Sequence, residues 1–243
     1  MEKAYKLLAL QEGISNKHAK ELIDRGLVYV ADKKIKIARA MMDKDTLFRI
    51  EEPNEIEVIF EDKDIVAVNK PAFIDSYEVE SFIDGAKLLH RLDRETSGVV
   101  LLSKNPKFTK KAVEAFRKRE VKKVYIAWVE GLIYEPMVID LPISTYKKGK
   151  AKSRIDTKRG KEAITRVYPD EIQGKKSRVK IEIDTGRTHQ IRVHLAHMGH
   201  PIVGDREYGS PTESKRTLLH AYSITLFGKT YTAKEPKDIL RYK

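Results

Sequence analysis

Cysteine is absent from the 243-residue sequence. This absence excludes disulfide scaffolds, thiolate zinc sites, iron–sulfur clusters and cysteine nucleophiles. The sequence also lacks the ~18 to 20 consecutive apolar residues that a membrane-spanning helix needs, and its first residues, MEKAYKLLALQEG, form no apolar signal segment. We therefore expect a folded cytosolic protein that does not bind a membrane and whose chemistry depends on carboxylates, His, Ser, Tyr or Lys.

Positive charge is in excess, since 48 Lys and Arg residues against 36 Asp and Glu residues give a formal net charge of +12. Such an excess is typical of proteins that bind polyanions, because Lys and Arg neutralise phosphates and release counterions. A basic surface that is merely solvated explains the composition equally well. Residues 147 to 160 are especially basic and include two glycines, which predicts a flexible basic loop. Its basic residues are Lys147, Lys148, Lys150, Lys152, Arg154, Lys158 and Arg159.

The first fifty residues have the pattern of a small separate unit. Ser15 is placed to cap a short amphipathic helix, and Gly26 is placed to end it in a left-handed conformation. The letters LVYVADKKIKIA that follow predict a hairpin with a tight polar turn. The polar EEPN at residues 51 to 54 is the expected joint. We therefore predict one domain over residues 1 to 50 and a second over residues 51 to 243.

Strand patterns dominate the second domain. Apolar or alternating runs predict strands at EIEVIF, DIVAVNKP, GVVLLSK, KVYIAWVEG, SRVKIEIDTG and RTLLHAYSITLF, of which the first two should pair antiparallel. One helix should begin at Asn105 and Pro106 and run to about Arg119, and a second should be capped by Thr188 and end at Gly199. Helices and strands do not alternate regularly, which favours an α+β fold around an antiparallel or mixed central sheet.

The segment HRLDRETSG, from His90 to Gly98, is the richest in chemistry-bearing residues. Arg91 and Arg94 flank Asp93 and favour its ionised form. A structural aspartate in a turn is the ordinary interpretation of such a residue, because ion pairs occur in structural turns as well. If Asp93 is functional, an ionised carboxylate among phosphate-binding arginines would act as a nucleophile or a general base.

Taken as a whole, this segment resembles the HRLDxxTSG motif of the RluA family of RNA pseudouridine synthases. Five other segments occur in the order and at the spacing typical of that family: DIVAVNKPA before this motif, and KVYIAWVEG, GKEAITRV, TGRTHQIRVHLAHMGHPIVGDREYG and RTLLHAYSITL after it. The resemblance covers roughly residues 55 to 240. Residues 1 to 50 are similar to an S4 RNA-binding domain, a small α/β unit, through GISNKHAKELIDRGLVYV.

The resemblance implies a reaction and three catalytic residues. Asp93 matches the catalytic aspartate, Tyr125 the tyrosine that stacks on the target base and is placed for proton transfer, and Arg187 the arginine paired with the carboxylate. The implied reaction breaks the C1′–N1 bond of a uridine and forms a C1′–C5 bond. Asp93 would either attack C1′ or remove the C2′ proton, and the sequence does not choose between these routes. Neither route requires a metal, nucleotide or redox cofactor.

The residues themselves leave simpler interpretations open for two of these positions. An enzyme that acts on a base must take the base out of its stack and offer an aromatic face, which Tyr125 could supply. Tyr125 could equally be a core tyrosine of a strand, given its neighbours Ile126 and Trp128. Arg187 could be a surface arginine between a strand and a helix.

Further basic residues are candidates for RNA contacts. Arg192 is expected to bind phosphate, and Lys70 is expected to contact phosphate or structural carbonyls. The full set of expected RNA-binding residues is Arg91, Arg94, Lys70, His189, Arg192, Lys17, Lys20 and Arg25. We expect no metal, although His194, His197 and His200 recur at helical spacing, because no Cys or suitably spaced carboxylate completes a ligand set.

One segment departs from the family pattern. Relatives usually follow NKPA with Gly and a short apolar stretch that leads to His-Pro, whereas this chain has FIDSYEVE over residues 73 to 80. The resemblance therefore implies no particular substrate contact for this segment.

The overall interpretation is a monomeric RNA pseudouridine synthase. Large-subunit ribosomal RNA is the favoured substrate, with transfer RNA as the alternative. An RNA-binding or ribosome-assembly protein without turnover is the competing hypothesis, and the matching Asp93, Tyr125 and Arg187 argue against it. An RNA hydrolase would need a metal or a His-base constellation, neither of which is recognisable in the sequence.

Overall fold

The computed structural model describes residues 1–24, 26–31, 33–50, 56–148 and 150–242. The contacts within the chain divide it into two compact units, Met1–Glu55 and Ile56–Lys243. None of the helices in these described ranges is both long and apolar enough to cross a membrane.

The first unit combines two helices with short strands. Its antiparallel sheet has the strand Val28–Val30 between Lys33–Lys34 and Phe48–Ile50, and the strands Glu2–Lys3 and Met41–Met42 also pair. As predicted, the Ser15 hydroxyl caps a helix by accepting a hydrogen bond from the His18 N–H at 3.1 Å, and Gly26 has a positive φ of 69°. The earlier helix, α1, was not predicted. The elements are β1 (Glu2–Lys3), α1 (Ala4–Glu12), α2 (Asn16–Asp24), β2 (Val28–Val30), β3 (Lys33–Lys34), β4 (Met41–Met42) and β5 (Phe48–Ile50).

The second unit is built mainly from strands, with the predicted strands and both predicted helices present. As expected, the Asn105 side chain caps the helix Pro106–Arg117 by accepting a hydrogen bond from the Lys107 N–H at 2.9 Å. The elements are β6 (Glu57–Glu61), β7 (Ile65–Lys70), α3 (Ser76–Phe82), β8 (Lys87–Leu88), β9 (Ser97–Ser103), α4 (Pro106–Arg117), β10 (Lys122–Glu130), β11 (Met137–Asp140), β12 (Ile143–Lys148), β13 (Lys150–Ile155), β14 (Ile164–Gln173), β15 (Lys176–Ile183), α5 (Gln190–His197), a 3₁₀ turn (Arg206–Tyr208), β16 (Leu219–Leu226), β17 (Lys229–Thr232) and α6 (Lys237–Leu240).

One large mixed sheet organises this unit, which confirms the predicted α+β class. Its strands are ordered β11-β14-β15-β10-β16-β9-β7-β6, with β8 also paired to β9 and β17 to β16. Among the described strands, β9 and β16 form the parallel pair, and the other neighbours run antiparallel. β6 and β7 form the expected antiparallel pair.

The sheet is covered on both faces, and β10 shows how its sequence achieves this. Alternate residues of a strand point to opposite faces. Tyr125, Ala127 and Val129 belong to a core cluster that includes residues of α5, whereas Ile126 and Trp128 pack in a second cluster with Ile239 of α6. Tyr125 therefore lies on the face of the sheet that α5 covers.

The parallel pairing of β9 and β16 depends on a glycine. Gly98 has a φ of 116°, and a Cβ atom there would lie 2.1 Å from the carbonyl oxygen of Ala221. Because only glycine fits so close to another backbone, the end of the HRLDRETSG segment is fixed against β16. The Ser97 hydroxyl and Nδ1 of His220, 2.9 Å apart, join the same two strands.

Two local predictions differ from the structure. The basic segment predicted as a flexible loop lies largely in the antiparallel pair β12–β13, where Ile143 faces Ile155 and the hydroxyls of Thr145 and Ser153 are 2.9 Å apart. Residues of one face recur at every second position of these strands, but the many lysines of the segment obscured this strand pattern in the sequence. His189, not Thr188, occupies the cap position before α5. The atypical segment after β7 forms the helix α3.

Candidate active site

A cleft of about 850 Å³ opens in the second unit between the predicted motifs. Its walls come from the segment around α3, from the HRLD segment before β9, from the start of β10 and from the residues that lead into α5. The residues that line it are Phe73, Asp75, Tyr77, Glu80, Leu88, Leu89, His90, Arg91, Leu92, Asp93, Arg94, Glu95, Phe116, Lys123, Tyr125, Ile183, Gly186, Arg187, Thr188, His189, Arg192 and Glu207.

Asp93 lies in the turn that leads into β9. The turn is closed by a hydrogen bond of 3.0 Å from the Thr96 N–H to the Asp93 carbonyl. The carboxylate is 30% exposed, and its Oδ2 accepts from the Arg192 guanidinium at 3.3 Å and lies 3.8 Å from Nε2 of His189. Asp93 is thus held from one side and open to the cleft on the other.

Arg192 connects Asp93 to the loop that follows α5. Its guanidinium donates to both carboxylate oxygens of Asp205, at 2.6 and 2.9 Å, and to Glu207 at 2.9 Å. Burial opposes its charge, but the hydrogen bonds and charges of these carboxylates raise the pKa of the guanidinium above its ordinary value. Arg192 was predicted to contact phosphate, and in the structure its buried guanidinium is instead shared among three carboxylates.

Arg187 lies on the wall of the same cleft but has different partners. Its Nε donates to the carbonyl of Glu162 at 3.0 Å, and its backbone N–H donates to the Gln190 side chain at 3.1 Å. The predicted pairing of Arg187 with the Asp93 carboxylate is therefore made by Arg192 instead. Arg187 precedes α5 and lies at the rim, whereas Arg192 lies within the first turn of the helix and points inward.

Tyr125 is buried in β10, and its side chain reaches the cleft. Burial, and secondly the charge of Asp93, raises the pKa of its hydroxyl well above the ordinary value. The phenol therefore remains protonated at neutral pH. It offers an aromatic surface beside the carboxylate.

His189 lies between Asp93 and the ring of Tyr208. Its backbone is left-handed, with a φ of 54°, and its Nδ1 is 2.9 Å from the Tyr208 hydroxyl. Burial lowers the pKa of the imidazole, which the charge of Asp93 opposes. His189 thus lies in the cleft wall, with its ring held by a protein partner.

Lys70 is fully buried at the end of β7, which corrects its predicted contact with RNA. Its Nζ donates to the carbonyls of Pro71, Ile74 and Arg94 at 3.0, 2.8 and 3.3 Å. Structural carbonyls were the alternative partners expected for Lys70, and its Nζ binds three of them. Lys70 therefore anchors the start of the α3 segment to the HRLD segment.

Lys70 also gives the fold a pH dependence. Burial lowers its pKa from 10.5 to about 7, so the folded state releases a proton that the unfolded state retains up to about pH 10.5. Stability rises with pH wherever the unfolded state binds more protons, by at most about 1.4 kcal/mol per pH unit for one group. We expect the parent to gain about 2 to 3 kcal/mol relative to Lys70→Met between pH 7 and 9, measured by urea unfolding followed through the single, buried Trp128. Parallel pH profiles for the two proteins would contradict this assignment.

The remaining predicted RNA contacts fall into two places. Arg91 and Arg94 are exposed on the HRLD segment and line the cleft. Lys17 is exposed on α2, and Nζ of Lys20 lies 4.3 Å from the centre of the Tyr5 ring. Arg25 lies outside the described residues.

His194 of α5 and His200, shortly after the helix, have protein partners. Nδ1 and Nε2 of His194 lie 2.9 Å from the Thr165 hydroxyl and 2.9 Å from the Leu141 carbonyl, and Nδ1 of His200 lies 2.8 Å from the Glu130 carbonyl. In the part of the chain that the structure describes, no group of three or more His, Asp or Glu side chains is arranged to hold a metal ion.

Sequence reasoning missed the residues that support the site. Asp205 and Glu207 bind Arg192, and Tyr208 contacts both His189 and the Ser153 backbone. Lys123 also lines the cleft, where burial lowers its pKa to about 8. The segment GDREYG, residues 204 to 209, contains three of these residues, and its two carboxylates were the available signal for a buried arginine nearby.

Comparison with known proteins identifies the family. The model of the RNA pseudouridylate synthase family matches residues 69–197. The Uncharacterized RNA pseudouridine synthase of Helicobacter pylori is 51% identical over 240 residues, which cover 98% of this chain and 99% of that protein. The Ribosomal large subunit pseudouridine synthase D of Escherichia coli is 30% identical over 195 residues, which cover 72% of this chain and 60% of that protein.

A solved structure agrees with this result. Human RNA Pseudouridylate Synthase Domain Containing 1 superimposes with a TM-score of 0.66 at 26% identity, covering 77% of this chain and 86% of that one. Human RNA Pseudouridylate Synthase Domain Containing 4, at 23% identity and a TM-score of 0.63, shares the fold. The chain therefore belongs to the RNA pseudouridylate synthase family and is an enzyme that isomerises uridine in RNA.

Proposed function

We propose that the protein modifies a uridine of large-subunit ribosomal RNA, with Asp93 as the catalytic residue. The observation that carries the assignment of Asp93 is its position: a partly exposed carboxylate lies in the cleft beside a buried tyrosine and a buried arginine. The choice of RNA is supported by the Escherichia coli relative, whose name specifies the large ribosomal subunit.

The reaction requires the Asp93 carboxylate to be ionised and to have access to the sugar. The C1′–N1 bond breaks, the uracil turns, and C5 then bonds to C1′; C5 loses a proton and N1 gains one, so the product is an isomer of the substrate. Asp93 either attacks C1′ and is later displaced, or removes the C2′ proton and later returns it. Both routes need an ionised carboxylate that is open to the sugar. The arrangement around Oδ2 is consistent with either route.

Tyr125 and Arg192 have separate roles in this proposal. The protonated Tyr125 would provide the face on which the flipped uracil stacks and a hydroxyl for the proton transfers of the base. Arg192 is a positioning residue, since its bonds to Asp205 and Glu207 fix the guanidinium that holds Asp93. Arg187, Arg91 and Arg94 remain proposed contacts to the sugar and phosphates at the rim of the cleft.

We propose further that the first unit is an S4-like RNA-binding domain. Its two helices and small sheet present Lys17 and Lys20 along α2. These charges would add affinity for phosphate without contributing to the chemistry.

Replacing both Lys17 and Lys20 with Gln should weaken RNA binding and flatten its salt dependence. Each phosphate contact that is lost should reduce the slope of log K against log salt by about 0.7 to 0.9. The rate at saturating RNA should be unchanged. The matched control replaces Lys107 and Lys110, two exposed lysines of α4 outside the cleft. Equal slopes for the two double variants would remove the proposed role of α2.

The substrate is tested by mapping pseudouridine. Total RNA from a strain lacking the protein is incubated with purified enzyme, and pseudouridines are detected as alkali-resistant carbodiimide adducts. A new adduct in large-subunit ribosomal RNA supports the proposal, and one in transfer RNA replaces the proposed substrate. The absence of any adduct would favour an RNA-binding protein, and strand scission would favour a hydrolase.

A further inference from the structure

We propose that Phe73 and Tyr77 form an aromatic wall on which an unpaired RNA base next to the target uridine stacks. The proposal rests on the proposed function of the Asp93 site and assigns a substrate contact to the atypical segment that follows β7. It is based on the backbone of Phe73, the exposure of both rings and the way in which α3 is fixed beside Asp93.

The backbone of Phe73 is strained. Its φ is 72°, in the left-handed region that residues with a bulky side chain rarely adopt. Two hydrogen bonds impose this conformation: the Phe73 N–H donates to the Arg94 carbonyl at 2.7 Å, and Nε of Arg94 donates to the Phe73 carbonyl at 3.0 Å. A glycine would make the same turn without strain. A strained residue in a functional cleft suggests that its side chain serves the function.

Both rings of the aromatic wall are accessible. Phe73 is 38% exposed and Tyr77 is 60% exposed, and both line the cleft. The Arg91 guanidinium lies 5.4 Å from the centre of the Tyr77 ring and donates to its hydroxyl at 3.3 Å. Exposed aromatic rings next to arginines are the surface on which unpaired bases stack while the charge contacts the phosphates.

The helix that carries Tyr77 is fixed relative to the catalytic segment. Asp75 and Glu78 form a capping box at its start. The Ser76 hydroxyl donates to the Leu92 carbonyl at 3.0 Å and accepts from the Leu92 N–H at 2.9 Å. Leu92 directly precedes Asp93 in the chain. The aromatic wall is therefore held at a set position beside the carboxylate. A base stacked there would belong to a nucleotide close to the target uridine.

The proposal is tested with a fluorescent RNA. The probe is a single-stranded 12-mer with one uridine and 2-aminopurine on both sides of it, because stacking on an aromatic ring quenches 2-aminopurine. Full-length parent is compared with Phe73→Gly, Phe73→Ala and Tyr77→Ala. The control is Tyr134→Ala, since Tyr134 is 69% exposed and does not line the cleft.

We expect Phe73→Gly and Tyr77→Ala each to weaken binding about 5- to 100-fold and to reduce the quenching. Tyr134→Ala should bind like the parent. Phe73→Gly should melt about 2 to 4 °C above Phe73→Ala, because glycine relieves the strain, yet the two should bind equally weakly. A purely structural role for the ring would instead make binding follow stability, with Phe73→Ala the weaker binder.

The proposal would be overturned if Phe73→Gly and Tyr77→Ala bound the probe as tightly as the parent and quenched it to the same extent. Conversion of uridine in total RNA by the parent is measured in parallel as a separate test of the proposed function. Quenching that depends on Phe73 together with an absence of conversion would sink the proposed function and leave the aromatic wall supported.

Discussion

Asp93→Asn is expected to abolish pseudouridine formation while RNA binding persists. The amide keeps the shape of the side chain but can neither attack C1′ nor remove the C2′ proton. The loss in rate should far exceed the ~10²- to 10⁴-fold contribution of ordinary acid–base assistance if Asp93 attacks covalently. Folding should be retained, because Arg192 keeps Asp205 and Glu207 as partners.

Removal of the charge should also affect affinity in a defined direction. Arg91 and Arg94 lie on the same segment, so loss of the neighbouring carboxylate leaves a more positive cleft that binds RNA as tightly as the parent or more tightly. The measurement is single-turnover pseudouridine formation with enzyme in excess, alongside binding of the same RNA. Asp84→Asn, which neutralises an exposed carboxylate outside the cleft, is the matched control. Activity of Asp93→Asn within a few-fold of the parent would refute the assignment of Asp93.

The position of Asp93 could be predicted because local sequence constrains it tightly. Gly98 approaches the Ala221 backbone closely and Ser97 pairs with His220, so the end of the segment from Asp93 to Gly98 is tied to β16. Because each of these contacts needs a particular residue type at a particular position, the sequence of this segment can be identified as a motif. The strands of the sheet were predictable for a similar reason, since a sheet covered on both faces demands long apolar runs.

The partner of Asp93 could not be predicted from the same kind of pattern. Arg187 and Arg192 are both arginines near the start of α5, and sequence alone does not show which one points inward. The choice depends on Asp205 and Glu207, which the fold brings to the helix from a loop further along the chain. A buried ion cluster of this kind is a tertiary property, as is the burial of Lys70 among backbone carbonyls.

The structure of the α3 segment could be predicted only in part from the sequence. Its aromatic residues have no counterpart in the motif that the rest of the chain resembles, so resemblance gave no expectation of its structure. The capping box of Asp75 and Glu78 was present in the sequence and is a usable signal for a helix start. The positive φ of Phe73 was not predictable, because bulky residues are rare in that conformation.

Arg192→Met is expected to have the second-largest effect, on stability and on rate together. It leaves the carboxylate of Asp205 buried without its cation, and Glu207 and Asp93 lose the same partner. Removing one member of a buried ion pair costs about 3 to 5 kcal/mol. Within the described residues the Arg187 side chain donates to the Glu162 carbonyl and forms no ion pair, so Arg187→Met should cost within about 1 kcal/mol, as surface substitutions usually do.

The rate effect of Arg192→Met follows from the position of Asp93. A carboxylate displaced by about 1 Å can lose about 10²-fold in rate, so single-turnover pseudouridine formation should fall by at least that factor under conditions where Trp128 fluorescence shows a folded protein. Arg192→Lys should recover part of the stability but little of the rate, because an ammonium cannot bind both oxygens of Asp205 and still hold Asp93. Arg187→Met should raise the RNA concentration needed for half-maximal rate more than it lowers the rate at saturation. The reverse pattern, with rate lost in Arg187→Met and retained in Arg192→Met, would return the role of carboxylate partner to Arg187.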